Sequence, residues 1–86
     1  MKEETLTLRN RLGLHARAAA KFVHAAASFQ SKVSITKDGD EVDGKSILGL
    51  LLLAAGKGTP LLVRAEGSDE EQAMASLRDL VERKFD

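Results

Sequence analysis

The residue of this chain that most directly suggests chemistry is a histidine followed closely by an arginine. Both belong to the run Gly13-Leu14-His15-Ala16-Arg17, which leads into a segment rich in alanine. Alanine is the best helix-forming residue, so His15 is predicted to lie where a helix begins. The first N–H groups of a helix lack partners within it and carry partial positive charge. An anion held on His15 would therefore meet backbone donors.

A phosphoryl group is the anion that best fits this pair of side chains. A neutral imidazole nitrogen is a nucleophile near pH 7, and a phosphoryl group bound to it is labile enough to be passed on. The Arg17 guanidinium could add charge-assisted hydrogen bonds to the phosphate oxygens. The alternative is that His15 only caps the helix and Arg17 is a solvated surface residue. The second histidine, His24, falls in the middle of the predicted helix, where we expect it to be simply exposed.

A second motif, the segment from Gly39 to Ser46, matches the phosphate-loop pattern of nucleotide-binding proteins. We interpret this match as accidental. Asp40, Glu41 and Asp43 would stand among the backbone donors that must cradle phosphate, and their charges would repel it. The pair Asp38-Gly39 is also a typical hairpin turn, and no later strand ends in an acid placed to organise magnesium. A nucleotide-binding enzyme is therefore kept only as an alternative.

Ser46 precedes a strongly apolar run, residues 47–53. Serine before such a run is a preferred helix N-cap. Phosphate on an exposed helix start would be tolerated by the fold, yet it would place about two negative charges on the surface nearby. The run has more apolar residues than one face of a short helix can bury, so part of it is predicted to be exposed and to bind a partner protein. A deeper core is the alternative.

The periodicity of apolar residues predicts the elements that position these motifs. Alternation of period 2 predicts strands over residues 4–8, 33–36 and 60–66, with Pro60 at the first position of the last strand. The Asp38-Gly39 hairpin turn predicts a further short strand, 40–43, that pairs with the second. Helical spacing predicts helices over 16–27 and after a capping box at Ser68-Asp69-Glu70-Glu71. The apolar run 47–55, bounded by Gly44 and Gly56, is best explained as a short helix. The last helix carries an apolar stripe from Ala73 to Val81, and Arg83 with Lys84 is expected to complement its C-terminal dipole.

The resulting order, β-α-β-β-α-β-α, predicts an α+β fold. Three helices would cover one face of a four-stranded antiparallel sheet, which gives an open-faced β-sandwich. A chain of 86 residues has room for one single-core domain, residues 1–86. This length disfavours most self-contained enzymes and favours a carrier or a binding module. The acidic residues of the short strand 40–43 discourage pairing at the sheet edge, so we expect a monomer.

The composition excludes several classes of partner. Thirteen basic residues balance thirteen acidic ones, so the whole molecule has no electrostatic attraction to nucleic acid or anionic lipid. The chain has no cysteine, which excludes disulfides and thiolate metal sites. Residues 1–5 have no apolar stretch of signal-peptide length, and no segment reaches the roughly 20 apolar residues of a membrane span. We therefore expect a cytoplasmic protein without metal or other cofactor.

The two motifs and their arrangement resemble the HPr family of histidine phosphocarriers in the bacterial phosphotransferase system. The resemblance covers essentially the whole chain. It rests on residues 13–17 before an alanine-rich helix, on Lys45-Ser46 before an apolar helix, and on the Ala65-Glu66-Gly67 turn before the last helix. It implies that His15 accepts phosphate from enzyme I, on Nδ1, and delivers it to enzyme IIA-type acceptors, sugar-specific or regulatory. The protein would then be a carrier that needs partner enzymes.

The resemblance also assigns roles to further residues. Arg17 would steady the phosphoryl group, and Ser46 matches the position that HPr kinase/phosphorylase modifies in many bacteria. The apolar docking surface of the family is matched by Ile47, Leu48, Leu51 and Leu52, while Leu50 and Leu53 would belong to the core.

Two features leave the branch of the family open. Ala18 stands where the family commonly has proline, so the first helical turn gains an N–H group. The segments 10–13 and 51–53 look partly like the nitrogen-related branch, so both that branch and the sugar-transport branch remain possible. The alternative function is a regulatory module that binds partners through Ser46 and the helix 47–53, without phosphotransfer.

Overall fold

The structure, a computed structural model, describes residues 1–86 and contains seven elements in the predicted order. They are β1 (Lys2–Thr7), α1 (Ala16–Ala27), β2 (Lys32–Lys37), β3 (Asp40–Asp43), α2 (Ile47–Leu52), β4 (Pro60–Glu66) and α3 (Glu70–Glu82). The strands form one antiparallel sheet in the order β1-β4-β2-β3. The predicted α+β architecture, an open four-stranded sheet with three helices, is confirmed.

The core lies between the sheet and the helices. Alternate residues of β2 and β4, including Val33, Ile35 and Val63, are fully buried. They belong to the same hydrophobic cluster as Phe22 of α1 and Leu77 of α3. The opposite face of the sheet is polar. Arg64, for example, forms ion pairs with Glu3 of β1 and Glu41 of β3. The alternation in the sequence therefore separates a buried face from an open one.

The second helix is shorter than predicted, because it ends at Leu52 and not at residue 55. Leu53 is the C-cap, and Ala54 takes a left-handed backbone conformation with φ of 49°. The N–H groups of Leu53 and Ala54 donate to the carbonyls of Leu50 and Leu51, which closes the helix end. Leu53 and Ala55 then turn into the core. The terminal left-handed residue is usually glycine, so an alanine there gave no signal in the sequence.

The start of the third helix also differs from the prediction. Its N-cap is Asp69, not Ser68, and the Asp69 side chain makes no capping bond. The carboxylate instead accepts hydrogen bonds from the Ser31 hydroxyl and from the N–H groups of Gln30 and Ser31. These donors hold the pKa of Asp69 below its usual value, the Ser31 hydroxyl having the largest effect. Asp69 thus ties the α1–β2 loop to the start of α3.

Two smaller boundaries shift as well. Strand β1 covers residues 2–7, and Leu8 lies just beyond it, buried and hydrogen-bonded through its backbone to Gly58 and Thr59. Helix α3 ends at residue 82, so Arg83 is its C-cap and pairs with Asp79. Lys84 lies outside the helix with a positive φ of 61°. No helix of this fold has both the length and the apolar content that crossing a bilayer requires.

Candidate functional site

His15 is the N-cap residue of α1. Its backbone is extended, with φ of −76° and ψ of 176°, and its carbonyl accepts the N–H of Ala19 at 2.8 Å. Its side chain turns back toward the helix, so that Nδ1 accepts the backbone N–H of Arg17 at 3.3 Å. A nitrogen that accepts a hydrogen bond carries a lone pair, so the proton of the neutral ring belongs on Nε2. Nδ1 is therefore the ring nitrogen that carries the lone pair, and it faces the helix start.

The first turn of α1 leaves donors free around this nitrogen. The N–H groups of Ala16 and Ala18 donate to no backbone acceptor, and the N–H of Arg17 makes only the long bond to Nδ1. The helix behind them has 12 residues, so its dipole adds partial positive charge at the same place. The N–H groups of this first turn are therefore available to an anion held at the helix start. Ala18 supplies one that a proline could not.

A tight turn before the helix fixes the position of His15. The N–H of Gly13 donates to the carbonyl of Asn10 at 3.1 Å, and the N–H of Leu14 donates to the carbonyl of Ala55 at 2.9 Å. Gly13 has φ of 63°, and a Cβ atom on it would lie 2.4 Å from the Ala55 oxygen. Only glycine fits this position, because both the conformation and the close approach exclude a side chain. The β1–α1 connection is thus docked on the segment that follows α2.

His15 opens into a cleft of about 360 Å³ that is rich in positive charge. The basic residues that line it are Arg11, Arg17, Lys21 and Lys84, against one acidic residue, Asp86. Lys21 also donates to the carbonyl of Phe85 at 2.6 Å, which holds the residues after α3 beside α1. The molecule as a whole is neutral, yet this cleft provides the local cationic environment that a phosphoryl group requires. The other histidine, His24, is exposed and lies outside the cleft.

The phosphate-loop match does not form a phosphate cradle. Residues 40–43 are strand β3, which pairs with β2 in a hairpin closed at Asp38-Gly39. The Lys45 ammonium donates to the carbonyl of Phe29 at 2.9 Å, and the Lys45 N–H donates to Asp43 Oδ1. The segment is thus divided between a strand and a helix cap. No group of three or more histidine or carboxylate residues is arranged to hold a metal ion.

Ser46 is the N-cap of α2, as the sequence indicated. Its Oγ accepts the backbone N–H of Gly49 at 3.0 Å, and the residue is partly exposed. The helix then divides as expected. Leu50 and Leu53 are buried, while the large exposed apolar side chains of the helix are Ile47, Leu48, Leu51 and Leu52. Of these, Leu48 and Leu52 are the most open, with 68% and 73% of their surface accessible.

Besides the basic residues Arg11, Lys21 and Lys84, two further residues that the sequence did not indicate belong to the surroundings of His15. Leu12 lines the cleft and is 61% exposed, so it adds an apolar side chain beside the imidazole. Its only signal in the sequence is an apolar side chain directly after the polar residues Arg9, Asn10 and Arg11. Asn10 lines the same cleft but is buried. We call Leu12, Ile47, Leu48, Leu51 and Leu52 the apolar surface.

Comparisons with known proteins place the chain in a family. The family model described as "PTS HPr component phosphorylation site" matches residues 2–83. A phosphocarrier protein HPr of Xylella fastidiosa is 49% identical, with 99% of this chain and 96% of the relative covered. One from Neisseria meningitidis is 46% identical over the same shares.

Solved structures agree with this assignment. HPr-C-His from Thermoanaerobacter tengcongensis superposes with a TM-score of 0.96 at 46% identity, covering 99% of this chain and 96% of that one. An HPr dimer from the same organism gives 0.80 at 45% identity, covering 100% and 99%. The chain therefore belongs to the HPr family, the phosphocarrier proteins of the phosphotransferase system, which carry phosphoryl groups and are not themselves enzymes.

Proposed function

We propose that His15 is the residue of this phosphocarrier that takes the phosphoryl group from enzyme I and gives it to enzyme IIA-type acceptors. The observation that supports this most directly is the position of His15 Nδ1, 3.3 Å from the Arg17 N–H at the start of α1. In the reaction, the Nδ1 lone pair forms a bond to phosphorus as the bond between phosphorus and the donor breaks. The product ring carries phosphate on Nδ1 and a proton on Nε2, so it is cationic and a good leaving group for the next transfer.

The surroundings of Nδ1 suit a carrier, which must bind phosphate without keeping it. The N–H groups of Ala16, Arg17 and Ala18 would stabilise the oxygens of the phosphoryl group, and Arg17 would add an exposed cation. Asp86 is the one carboxylate that lines the cleft, among the four basic side chains. The site thus stabilises the negative charge of the phosphoryl group, and the acceptor protein supplies the nucleophile for the next transfer.

The apolar surface is proposed to dock both donor and acceptors. It is exposed, and α2 packs against α1, whose first residue follows His15. Large exposed apolar patches on a small protein commonly mark partner sites.

We further propose that the protein acts as a monomer in the cytoplasm. β3 is an edge strand with Asp40, Glu41 and Asp43, charges that oppose pairing with a second copy. Light scattering would distinguish a monomer from a dimer.

Ser46 is proposed as a regulatory site for a kinase of the HPr kinase/phosphorylase type. Phosphate on Oγ could still accept the Gly49 N–H that the hydroxyl now accepts, so the cap would survive. The added charge would lie beside Ile47, at the edge of the apolar surface.

Because Ser46 and the apolar surface do not depend on the imidazole, a purely regulatory module that binds partners without phosphotransfer is the second candidate. It predicts partner binding but no phosphate on His15.

A two-step transfer experiment distinguishes the two candidates. The protein is incubated with phosphoenolpyruvate and catalytic enzyme I, then mixed with an excess of an unphosphorylated enzyme IIA-type protein. We expect an acid-labile phosphoryl group to appear on the protein and to leave it in the second step. A protein that gains no phosphate, or that cannot pass it on, is not a carrier. His24→Ala serves as the matched histidine control and should behave as wild type.

Arg17→Ala is expected to slow transfer without abolishing it. The backbone N–H groups at the helix start remain, so only one charge-assisted contact is lost. That contact is worth about 1.5–3 kcal/mol, or about a tenfold to hundredfold change in rate. Rapid-quench measurement of transfer from enzyme I gives the rate directly. Transfer at the wild-type rate would show that the guanidinium does not contact the phosphoryl group.

Ser46→Asp is expected to weaken binding to enzyme I far more than it changes the melting temperature. Aspartate is a good N-cap, and a negative charge at a helix start is favourable by about 0.3–1 kcal/mol, so the fold should be preserved. A carboxylate beside Ile47 and Leu48 must lose its water when a partner covers them, and a buried unpaired charge is costly. Calorimetric binding and thermal melts measure the two effects separately. Unchanged affinity for enzyme I would exclude α2 as the docking site.

A further inference from the structure

Asn10 is a buried polar residue beside the proposed phosphorylation site. It is 8% exposed and lines the His15 cleft. Its side-chain Nδ2 donates to the carbonyl of Gly13 at 2.6 Å, while its backbone carbonyl accepts the N–H of Gly13. Its Oδ1 atom is buried and has no hydrogen-bond partner in the protein. The side chain therefore adds a second hydrogen bond between Asn10 and Gly13 across the turn before His15.

The bond from Asn10 acts on one particular peptide unit. The Gly13 carbonyl and the Leu14 N–H belong to the same planar peptide group. Asn10 holds the oxygen of that group at 2.6 Å, and the carbonyl of Ala55 holds its N–H at 2.9 Å. The peptide is thus fixed from both sides, and the chain leaves it in a defined direction. The next peptide group along the chain joins Leu14 to His15, whose ring must lie beside the N–H groups at the start of α1.

The choice of an asparagine is not explained by stability alone. Nearly all buried polar atoms in folded proteins have a hydrogen-bond partner, and Oδ1 of Asn10 has none within the protein. An apolar side chain at this position would have no unpaired Oδ1 atom, but it would leave the Gly13 carbonyl without its side-chain donor. An aspartate would face the carbonyl with a second acceptor and add negative charge to a cleft that receives phosphate. A neutral amide is the group that supplies a donor without adding charge.

We propose that Asn10 is a positioning residue for phosphoryl transfer, which acts through the Gly13–Leu14 peptide to hold His15 Nδ1 against the first N–H groups of α1. The inference depends on the role proposed above for His15. A misplacement of about 1 Å at a reacting atom can cost about a hundredfold in rate, so loss of this clamp should affect transfer and not only folding.

The test compares Asn10→Ala and Asn10→Asp with Val81→Ala, a truncation in the core of α3. Three quantities are measured for each: the rate of phosphate transfer from enzyme I, the melting temperature, and the ¹⁵N chemical shifts of the His15 ring. We expect both Asn10 variants to transfer at least about tenfold more slowly. Their ring shifts should move toward a mixture of the two neutral tautomers. Val81→Ala should lower the melting temperature but keep the wild-type rate and ring shifts.

The outcomes separate this inference from the proposed function. If the Asn10 variants transfer at the wild-type rate, or lose only melting temperature as Val81→Ala does, Asn10 is structural and the inference is wrong. If Asn10→Ala does not fold, Asn10→Asp, which keeps the size of the side chain, decides by the same criteria. If the wild-type protein itself accepts no phosphate on His15, the proposed function fails first.

Discussion

The variant His15→Ala is expected to lose all acceptance of phosphate while it keeps the fold and the affinity for enzyme I. Nδ1 of His15 is the ring nitrogen at the start of α1, and the other histidine, His24, lies outside the cleft and is not placed to take over its role. The structural loss is limited to one long capping bond to the Arg17 N–H. Loss of an N-cap side chain costs about 0.5–2 kcal/mol, and a bond of 3.3 Å should fall at the lower end.

Intact-mass spectrometry after incubation with enzyme I and phosphoenolpyruvate measures this loss. A thermal melt and a calorimetric titration with enzyme I show whether the fold and the docking remain. His24→Ala provides the matched control and should gain one phosphoryl group as wild type does. Acid-labile phosphate on His15→Ala would contradict the assignment of the carrier residue. Unfolding of His15→Ala would mean that the histidine has a structural role that the geometry does not show.

Gly13→Ala is expected to cause the second large effect, a loss of both stability and transfer. A Cβ atom at this position would lie 2.4 Å from the Ala55 oxygen and 2.6 Å from the Gly56 Cα, which are backbone atoms that cannot rotate away. The residue also has φ of 63°, a conformation that costs a non-glycine residue about 1–3 kcal/mol. The turn must therefore move away from residues 55–56, and His15 must move with it.

Gly39→Ala is the matched control for this variant. Gly39 has φ of 87° in the β2–β3 hairpin, but a Cβ atom there meets nothing within 4 Å. Gly39→Ala should lower the free energy of unfolding only by the cost of the positive φ, and it should transfer phosphate at the wild-type rate. Chemical denaturation gives the free energy of unfolding for both variants. Equal destabilisation of the two, together with normal transfer by Gly13→Ala, would contradict the tight docking of the turn on the segment after α2.

Much of the fold was predictable because its signals are local. Alternation of apolar and polar residues marked the strands, and alanine content with Gly13 before it placed His15 at a helix start. Ser46 was also identified correctly as an N-cap, since a serine before an apolar run needs no distant partner. The division of α2 into buried Leu50 and exposed Leu48 was suggested by family resemblance and is what the structure shows.

The features that were missed depend on contacts between distant parts of the chain. The sequence pattern places Asp69 in a capping box, but its carboxylate accepts hydrogen bonds from Ser31, 38 residues earlier. The end of α2 is set by an alanine with positive φ and by docking of residue 55 against the turn at Gly13. The cationic cleft unites Arg11 and Lys84 from opposite ends of the chain. Local periodicity has no information about any of these pairings.

The measurement that tests the central claim most directly is the location of the phosphoryl group by NMR. The ¹⁵N-labelled protein is phosphorylated by enzyme I, and the coupling of phosphorus to the imidazole nitrogens identifies the bonded atom. We predict a single phosphoryl group on Nδ1 of His15, with the proton of the ring on Nε2. Phosphate on Nε2, on His24 or as an acid-stable ester would contradict the claim that His15 Nδ1 at the start of α1 carries the phosphoryl group.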